Sequence, residues 1–268
     1  MKRRLVAAIA VRNQGSRLYG KPIQALDVNS GVRILDNIIS CLKTIPCIDE
    51  IVLGISEGVE NEVFRTIADS KGLRYVIGDG IDVLSRLVRC GQLAGATDIF
   101  RVTSESPFLY FEPLEDLWRR HQAELAHATF LDDIIDGCGF EIISLKALEQ
   151  SHARGDKRHR SELCTLFIRE HHQEFKIIKV AAPAELSRKD LRLTVDNPED
   201  LALCRIVYGQ LKAAAPRIPV AQIVQFLDAN PRLIELTAPY AETGYSTMYV
   251  WGEGREPSVA SASIQPSP

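Results

Sequence analysis

Four short apolar runs, each followed by helical periodicity, constrain this chain more than any other feature. LVAAIAV (5–11), EIVLGIS (50–56), RYVIG (74–78) and DIFRVT (98–103) read as strands, the first of them fully buried. VRILDNIISCLK (32–43), NEVFRTIADSKG (61–72), DVLSRLVRCGQLAG (82–95) and a stretch near 113–124 place apolar residues at helical spacing. Gly72 is a helix stop and Asp82 a helix N-cap. Strand–helix units in series argue for a mostly parallel sheet with helices on both faces.

The second half is less regular. ATFL (128–131) and GFEIIS (139–144) read as strands around an acidic loop, LDDIIDGCG. Helices are predicted near 145–153 and 161–171, and strands at FKIIKVAA (175–182) and LRLTV (191–195). Asn197-Pro198-Glu199-Asp200 opens a helix, with Pro198 in a tolerated first-turn position. An amphipathic helix follows at about 219–229. The segment 252–268 has the Pro/Ser/Gly/Ala bias of a disordered tail. No internal repeat is visible, so residues 1–250 read as one α/β domain.

Composition closes off several classes. With 46% hydrophobic and 25% charged residues and a net charge of −3, the chain is ordinary for a soluble globular protein. It has no long basic run, so nucleic acid is not expected as a partner. No apolar run reaches the ~18–20 residues of a membrane span. Met1-Lys2-Arg3-Arg4 before LVAAIAV has the outline of a leader peptide, but seven apolar residues running into Arg12 read as a strand. The cysteines at 41, 47, 90, 138, 164 and 204 form no C-x-x-C pair and suggest no zinc site. They read as free thiols in a reducing cytoplasm. The adjacent His171 and His172 read as solvated surface.

Chemistry concentrates after the first strand, in NQGSRLYGKP (13–22). Gly15, Gly20 and Lys21 fit the opening of a G-x-x-x-x-G-K phosphate loop, but the next residue is Pro22. Proline supplies neither the hydroxyl that such a loop gives to Mg²⁺ nor a backbone N–H, and the helical pattern starts about ten residues too late. What remains is three cations, Arg12, Arg17 and Lys21, among Gly15, Ser16 and Gly20. At the carboxyl edge of an open α/β sheet that set suits a polyphosphate. On charge alone it equally describes a solvated basic loop.

AVRNQGSRLYGKPI resembles the opening A-R-x-x-S-T-R-L-P-G-K-x-L of the cytidylyltransferases that activate sugar acids, with Gly15, Ser16 and Tyr19 as departures. GDGIDVLSRL (78–87), RVTSESPFL (101–109) and LRLTVDNPEDL (191–201) are similar to three further motifs of that family, in the same order. SELCT (161–165) matches E-H-V-T through Glu162 and Thr165. The resemblance covers roughly 4–210, and the spore-coat polysaccharide type looks most similar.

The resemblance implies a Rossmann-like nucleotidyltransferase (GT-A-like) fold with a small dimerisation arm, placed at 128–182 with the acceptor-binding subregion, and a homodimer. It implies attack of a sugar-acid hydroxyl on the α-phosphate of CTP, with Mg²⁺ and release of pyrophosphate. Arg12, Arg17 and Lys21 are then the catalytic triphosphate contacts; Gly15, Ser16, Asp82 and Arg86 join them at the nucleotide; Glu105 and Asp196 hold the metal, Glu105 standing where the family has Asp. Read without it, Glu105 is an N-cap or turn residue before Pro107, Asp196 a helix N-cap, and Asp82–Arg86 an i,i+4 ion pair. The acceptor carboxylate calls for arginine, and Arg160 is the candidate, with His159 and Glu162 nearby; Glu141 on GFEIIS is the candidate to face the site and accept sugar hydroxyls. The run 154–162 reads equally as a solvated loop. Two other functions stay open: a GT-A glycosyltransferase using Asp132, Asp133 and Asp136 of LDDIID for its metal, and a non-catalytic relative.

Overall fold

The computed structural model describes residues 3–241; the predicted tail 252–268 lies outside them. In chain order the elements are β1 (Leu5–Val11), β2 (Ala25–Asp27), β3 (Val32–Arg33), α1 (Ile34–Leu42), β4 (Glu50–Ser56), α2 (Glu62–Lys71), β5 (Arg74–Gly78), α3 (Val83–Ala94) and β6 (Asp98–Arg101). Then come α4 (Leu114–Ala123), β7 (Ala128–Asp133), β8 (Phe140–Ser144), α5 (Leu145–Arg154), α6 (Leu166–Glu170), β9 (Ile177–Ala181), α7 (Pro198–Leu211), α8 (Val220–Asp228) and α9 (Pro231–Ile234).

Seven strands form one sheet in the order β5-β4-β1-β6-β8-β7-β9. The β5, β4, β1 and β6 strands are parallel; β8 runs against both β6 and β7, and β9 is parallel to β7. The fold is thus the expected mostly parallel α/β sheet.

Alternation along β1 shows why its sequence is apolar throughout. Leu5, Ala7, Ile9 and Val11 pack into a core shared with α1, α2, α4, α7 and α8, whereas Val6 and Ala8 face a second core built with α3, α5 and α6. A strand covered on both faces has no polar side to show. The predicted helix ends also hold. Gly72 closes α2 in the left-handed conformation, and the Asp82 carboxylate accepts the Ser85 N–H at the start of α3. An Asn197–Asp200 capping box, with Pro198 at the first turn, opens α7.

Several expectations are corrected. LRLTV (191–195) is not a sheet strand: its one ladder contact is a bridge from Arg192 to Asp136, and the Leu193 and Val195 N–H groups donate to the Asp136 and Glu105 carbonyls. The helix expected over 161–171 shrinks to α6. The strand expected to run to Thr103 stops at Arg101. The β2–β3 hairpin was not anticipated, because two- and three-residue strands carry too little alternation to read. Within residues 128–182, the segment expected to carry the arm, β7, β8 and β9 complete the far half of the sheet, and α5 and α6 pack in the second core.

Candidate active site

Every parallel strand delivers its carboxyl end to one edge of the sheet, and the antiparallel β8 brings its first residues there, Glu141 pairing with Arg101. That edge carries the loops after β1 and β6, the β7–β8 connection, and the extended segment Arg192–Asp196. Together they enclose a cleft of about 740 Å³.

The β1 loop is held by asparagines. The Asn13 N–H donates to Asn61 Oδ1 at 2.8 Å, its side-chain amide donates to the Glu60 carbonyl, and its own carbonyl accepts the Gly20 N–H at 2.8 Å. Lys21–Ile23 then forms one 3₁₀ turn, with Pro22 in its first turn, and leads into β2. No α-helix begins there, so the phosphate-loop geometry is absent. A Cβ on Gly15 would sit 2.3 Å from the Leu18 carbonyl oxygen, so this turn admits only glycine where the related motif has serine.

The loop cations converge on Asp196. Lys21 Nζ lies 2.6 Å from Asp196 Oδ1 and Arg17 Nη2 lies 3.3 Å from it, while Arg192 Nη2 takes Oδ2. Burial works to raise the Asp196 pKa, but the bond from Lys21 and the charges of Arg192 and Arg17 hold it below the usual carboxylate range. Asp196 is not the helix cap; Asn197 takes that position. Glu105, half-buried, accepts the Ser104 hydroxyl at 3.0 Å and shares the cleft wall. Its pKa is raised, chiefly by burial, with Lys21 opposing and Asp196 adding to the rise.

These two carboxylates fit a hard divalent cation in donor chemistry, and their mutual field would favour one. Among the described residues no group of three or more His, Cys, Asp or Glu side chains is placed to hold a metal by itself. Magnesium here would need ligand oxygens as well, such as those of a phosphate.

Other candidates divide. Arg12, Gly15, Ser16, Arg86, Glu141 and Glu162 line the cleft. Arg12 and Glu162 are paired across its rim. Arg86 is 1% exposed and donates to the Val11 and Gly54 carbonyls at 3.1 and 2.8 Å. Its Nε has no partner, and among the described residues no carboxylate pairs with it. Asp82 is not paired with Arg86: its carboxylate caps α3 and meets His152 Nε2 at 2.8 Å, off the cleft wall. His159 is buried against Glu170, 2.8 Å away, and Arg160 donates to carbonyls at the end of α5. Neither lines the cleft, so the acceptor contacts expected of them are not where the geometry puts them.

The acidic loop is neutralised from inside. Arg169, 2% exposed, bonds Asp132 and Glu141, with Arg101 on the other Glu141 oxygen. Burial would raise Glu141, but Arg101 and Arg169 bring it down to about 2. Arg192 holds Asp136, whose carboxyl is pushed up to about 6 by burial, against the pull of Arg192 and with Asp196, Asp200 and Glu105 adding. Asp132 and Asp136 are thus held by Arg169 and Arg192, as Asp196 is by Arg192. Gly137 (φ 95°) follows, where a Cβ would lie 2.5 Å from the Thr194 N–H nitrogen; this close approach docks the loop on residues 192–194.

Thr103, Ser106 and Thr194 add a chain of hydroxyls along the wall, with steps of 2.6 and 3.0 Å. Arg101, Arg192 and these hydroxyls were not among the sequence candidates. They sit inside the quoted motifs RVTSESPFL and LRLTVDNPEDL, so the signal was present but not read.

Searches of known proteins meet this geometry. The solved structure of a cytidylyltransferase from Leptospira borgpetersenii superposes with a TM-score of 0.75 at 20% identity, covering 87% of this chain and 97% of that one. The chain has the cytidylyltransferase fold. A CMP:2-keto-3-deoxy-manno-octonic acid synthetase solved with CTP shares the fold at a TM-score of 0.55 and 13% identity, over 77% of this chain and 99% of that one. In sequence, the spore coat polysaccharide biosynthesis protein SpsF of Bacillus subtilis is 24% identical over 228 residues, 83% of this chain and 93% of its own. An uncharacterised protein of Methanocaldococcus jannaschii, MJ1063, is 24% identical over 249 residues, 90% and 98% of the two chains. No family model matches. The likeness to the solved cytidylyltransferase is one of fold, and the four motifs lie on one cleft. No helix among the described residues is long and apolar enough to cross a membrane. All six cysteines are free, Cys47 being the one not fully buried.

Proposed function

We propose that this chain is a CTP-dependent nucleotidyltransferase that transfers CMP to a hydroxyl of a sugar acid, releasing pyrophosphate, for surface polysaccharide or glycan synthesis. One observation carries the reading: Lys21 and Arg17 of the β1 loop stand against the Asp196 carboxylate, beside Glu105, at the carboxyl edge of the sheet. Cations and carboxylates in one place are what a triphosphate and its metal require. In this reading Arg12, Arg17 and Lys21 bind the triphosphate, and Lys21 stabilises charge at the α-phosphate. Arg86, buried with spare donor capacity, faces the nucleotide. Glu105 and Asp196 hold Mg²⁺, which supplies charge neutralisation on the phosphates when bound. Glu141, Arg101 and the Thr103–Ser106–Thr194 hydroxyls shape the acceptor half. Paired copies in solution are part of the proposal, and light scattering should give twice the monomer mass; a monomer removes that part.

The test is thermal stability with CTP, UTP, ATP and GTP, each with and without Mg²⁺. A ligand that binds the folded state raises Tm by mass action, by about 2.7 kcal/mol of stability at a hundredfold excess over Kd. The expected result is a shift selective for CTP and larger with Mg²⁺, followed by pyrophosphate release in a screen of sugar acids. Stabilisation by nucleotide sugars instead, or by no nucleotide, would overturn the assignment.

A further inference from the structure

We infer that Arg192 is a positioning residue that sets the orientation of the Asp196 carboxylate; the inference rests on the metal role proposed for Asp196. Arg192 is 2% exposed and its three donor nitrogens are spent on three carboxylates. Nη1 bonds Asp136 in the β7–β8 loop, Nη2 bonds Asp196 Oδ2, and Nε reaches Asp200 Oδ1 at 3.1 Å in the first turn of α7. A guanidinium is planar and its donors diverge at fixed angles, so three acceptors on three segments are locked in one frame. The backbone repeats the tie, through the Asp136–Arg192 bridge and the Leu193 N–H on the Asp136 carbonyl at 2.8 Å.

The consequence falls on Asp196. With Oδ2 held from behind, Oδ1 is the oxygen turned to Lys21 and Arg17, that is, to the side from which a phosphate and its cation arrive. Asp200 completes the frame: its Oδ2 accepts the Asp196 and Asn197 N–H groups at 3.0 and 2.8 Å, which fixes the backbone carrying the Asp196 side chain. Groups that orient a metal's carboxylate ligands from behind are worth about 10–100-fold in metal affinity or activity when removed.

The experiment compares Arg192→Lys and Arg192→Met with the native chain. The readout is the Mg²⁺ concentration that gives half of the metal-dependent thermal stabilisation by CTP, and separately the stabilisation by CTP alone. Lysine keeps the buried positive charge that the three carboxylates need, so the lysine variant stays folded even if the methionine variant does not. The expected result is a rise of about 10–100-fold in the Mg²⁺ midpoint in both variants, with the shift from CTP alone unchanged within threefold in concentration. Full rescue by lysine would mean that charge alone matters, and would overturn the positioning role. An unchanged midpoint in both would overturn it too. A native chain that CTP fails to stabilise removes the proposed function first, and this inference with it; a native chain stabilised by CTP but indifferent to Mg²⁺ removes the metal role of Asp196 and this inference, and leaves the nucleotide assignment standing.

Discussion

Lys21→Met is expected to lower kcat/KM for CTP by about 10²–10³-fold, the usual cost of deleting one preorganised charge-stabilising donor. The Lys21 ammonium lies 2.6 Å from Asp196 and is mostly shielded from solvent, so its charge acts in a setting where water screens it weakly. Stability should change little, because Asp196 keeps Arg192 and Arg17 as partners. The measurement is steady-state kinetics by pyrophosphate release, with a melting curve beside it. Arg17→Met should lose less, since Arg17 is 56% exposed and stands 3.3 Å away. A Lys21→Met enzyme within threefold of native would show that the transferring phosphate lies elsewhere.

Arg169→Met, behind the acidic residues of the cleft wall, should be destabilising by about 3–5 kcal/mol, or roughly 10 °C in Tm. Arg169 bonds Asp132 and Glu141 in the interior and lies 4.0 Å over the Phe130 ring. Methionine keeps much of the volume but leaves two buried carboxylates short of a partner. A pH series gives the sign. Glu141 has its folded pKa depressed to about 2 from an ordinary 4.5, so its stabilising contribution is present above about pH 4.5 and is lost as the pH falls towards 2. The Arg169→Met penalty should therefore be greatest near neutrality and shrink below about pH 4. A penalty of the same size at pH 3 and pH 7 would mean that lost packing, not lost charge pairing, accounts for it.

The sheet, its first four strands and the helices between them were legible because burial on two faces leaves a mark on sequence. LVAAIAV and EIVLGIS are apolar at nearly every position since both sides of the strand meet a core. Gly72, Asp82 and the Asn197–Asp200 box were legible for a related reason: a helix end needs a particular residue at a particular place, whatever surrounds it. The β1-loop cations and the motif carboxylates were also readable as candidates. Arg12, Arg17, Lys21, Glu105 and Asp196 all reach the same cleft.

Tertiary structure decided the rest. LRLTV has the composition of a strand, yet its backbone N–H groups find carbonyls on two loops, and no local pattern encodes a partner 56 residues away such as Asp136 for Arg192. Whether a basic side chain serves a ligand or a neighbour is equally non-local. Arg160 and His159 sit in a run as basic as the β1 loop, but the fold turns one to helix-end carbonyls and the other to Glu170. Arg86 and Asp82 are one helical turn apart, the spacing of an ion pair, and the packing of α3 on the sheet buries one and leaves the other to cap the helix. Sequence determined which segments are strands and helices and which loop carries the cations, because those depend on contacts within a few residues. Only the tertiary structure decided which charges neutralise one another and which remain to meet a ligand, because that depends on distances across the whole sheet edge.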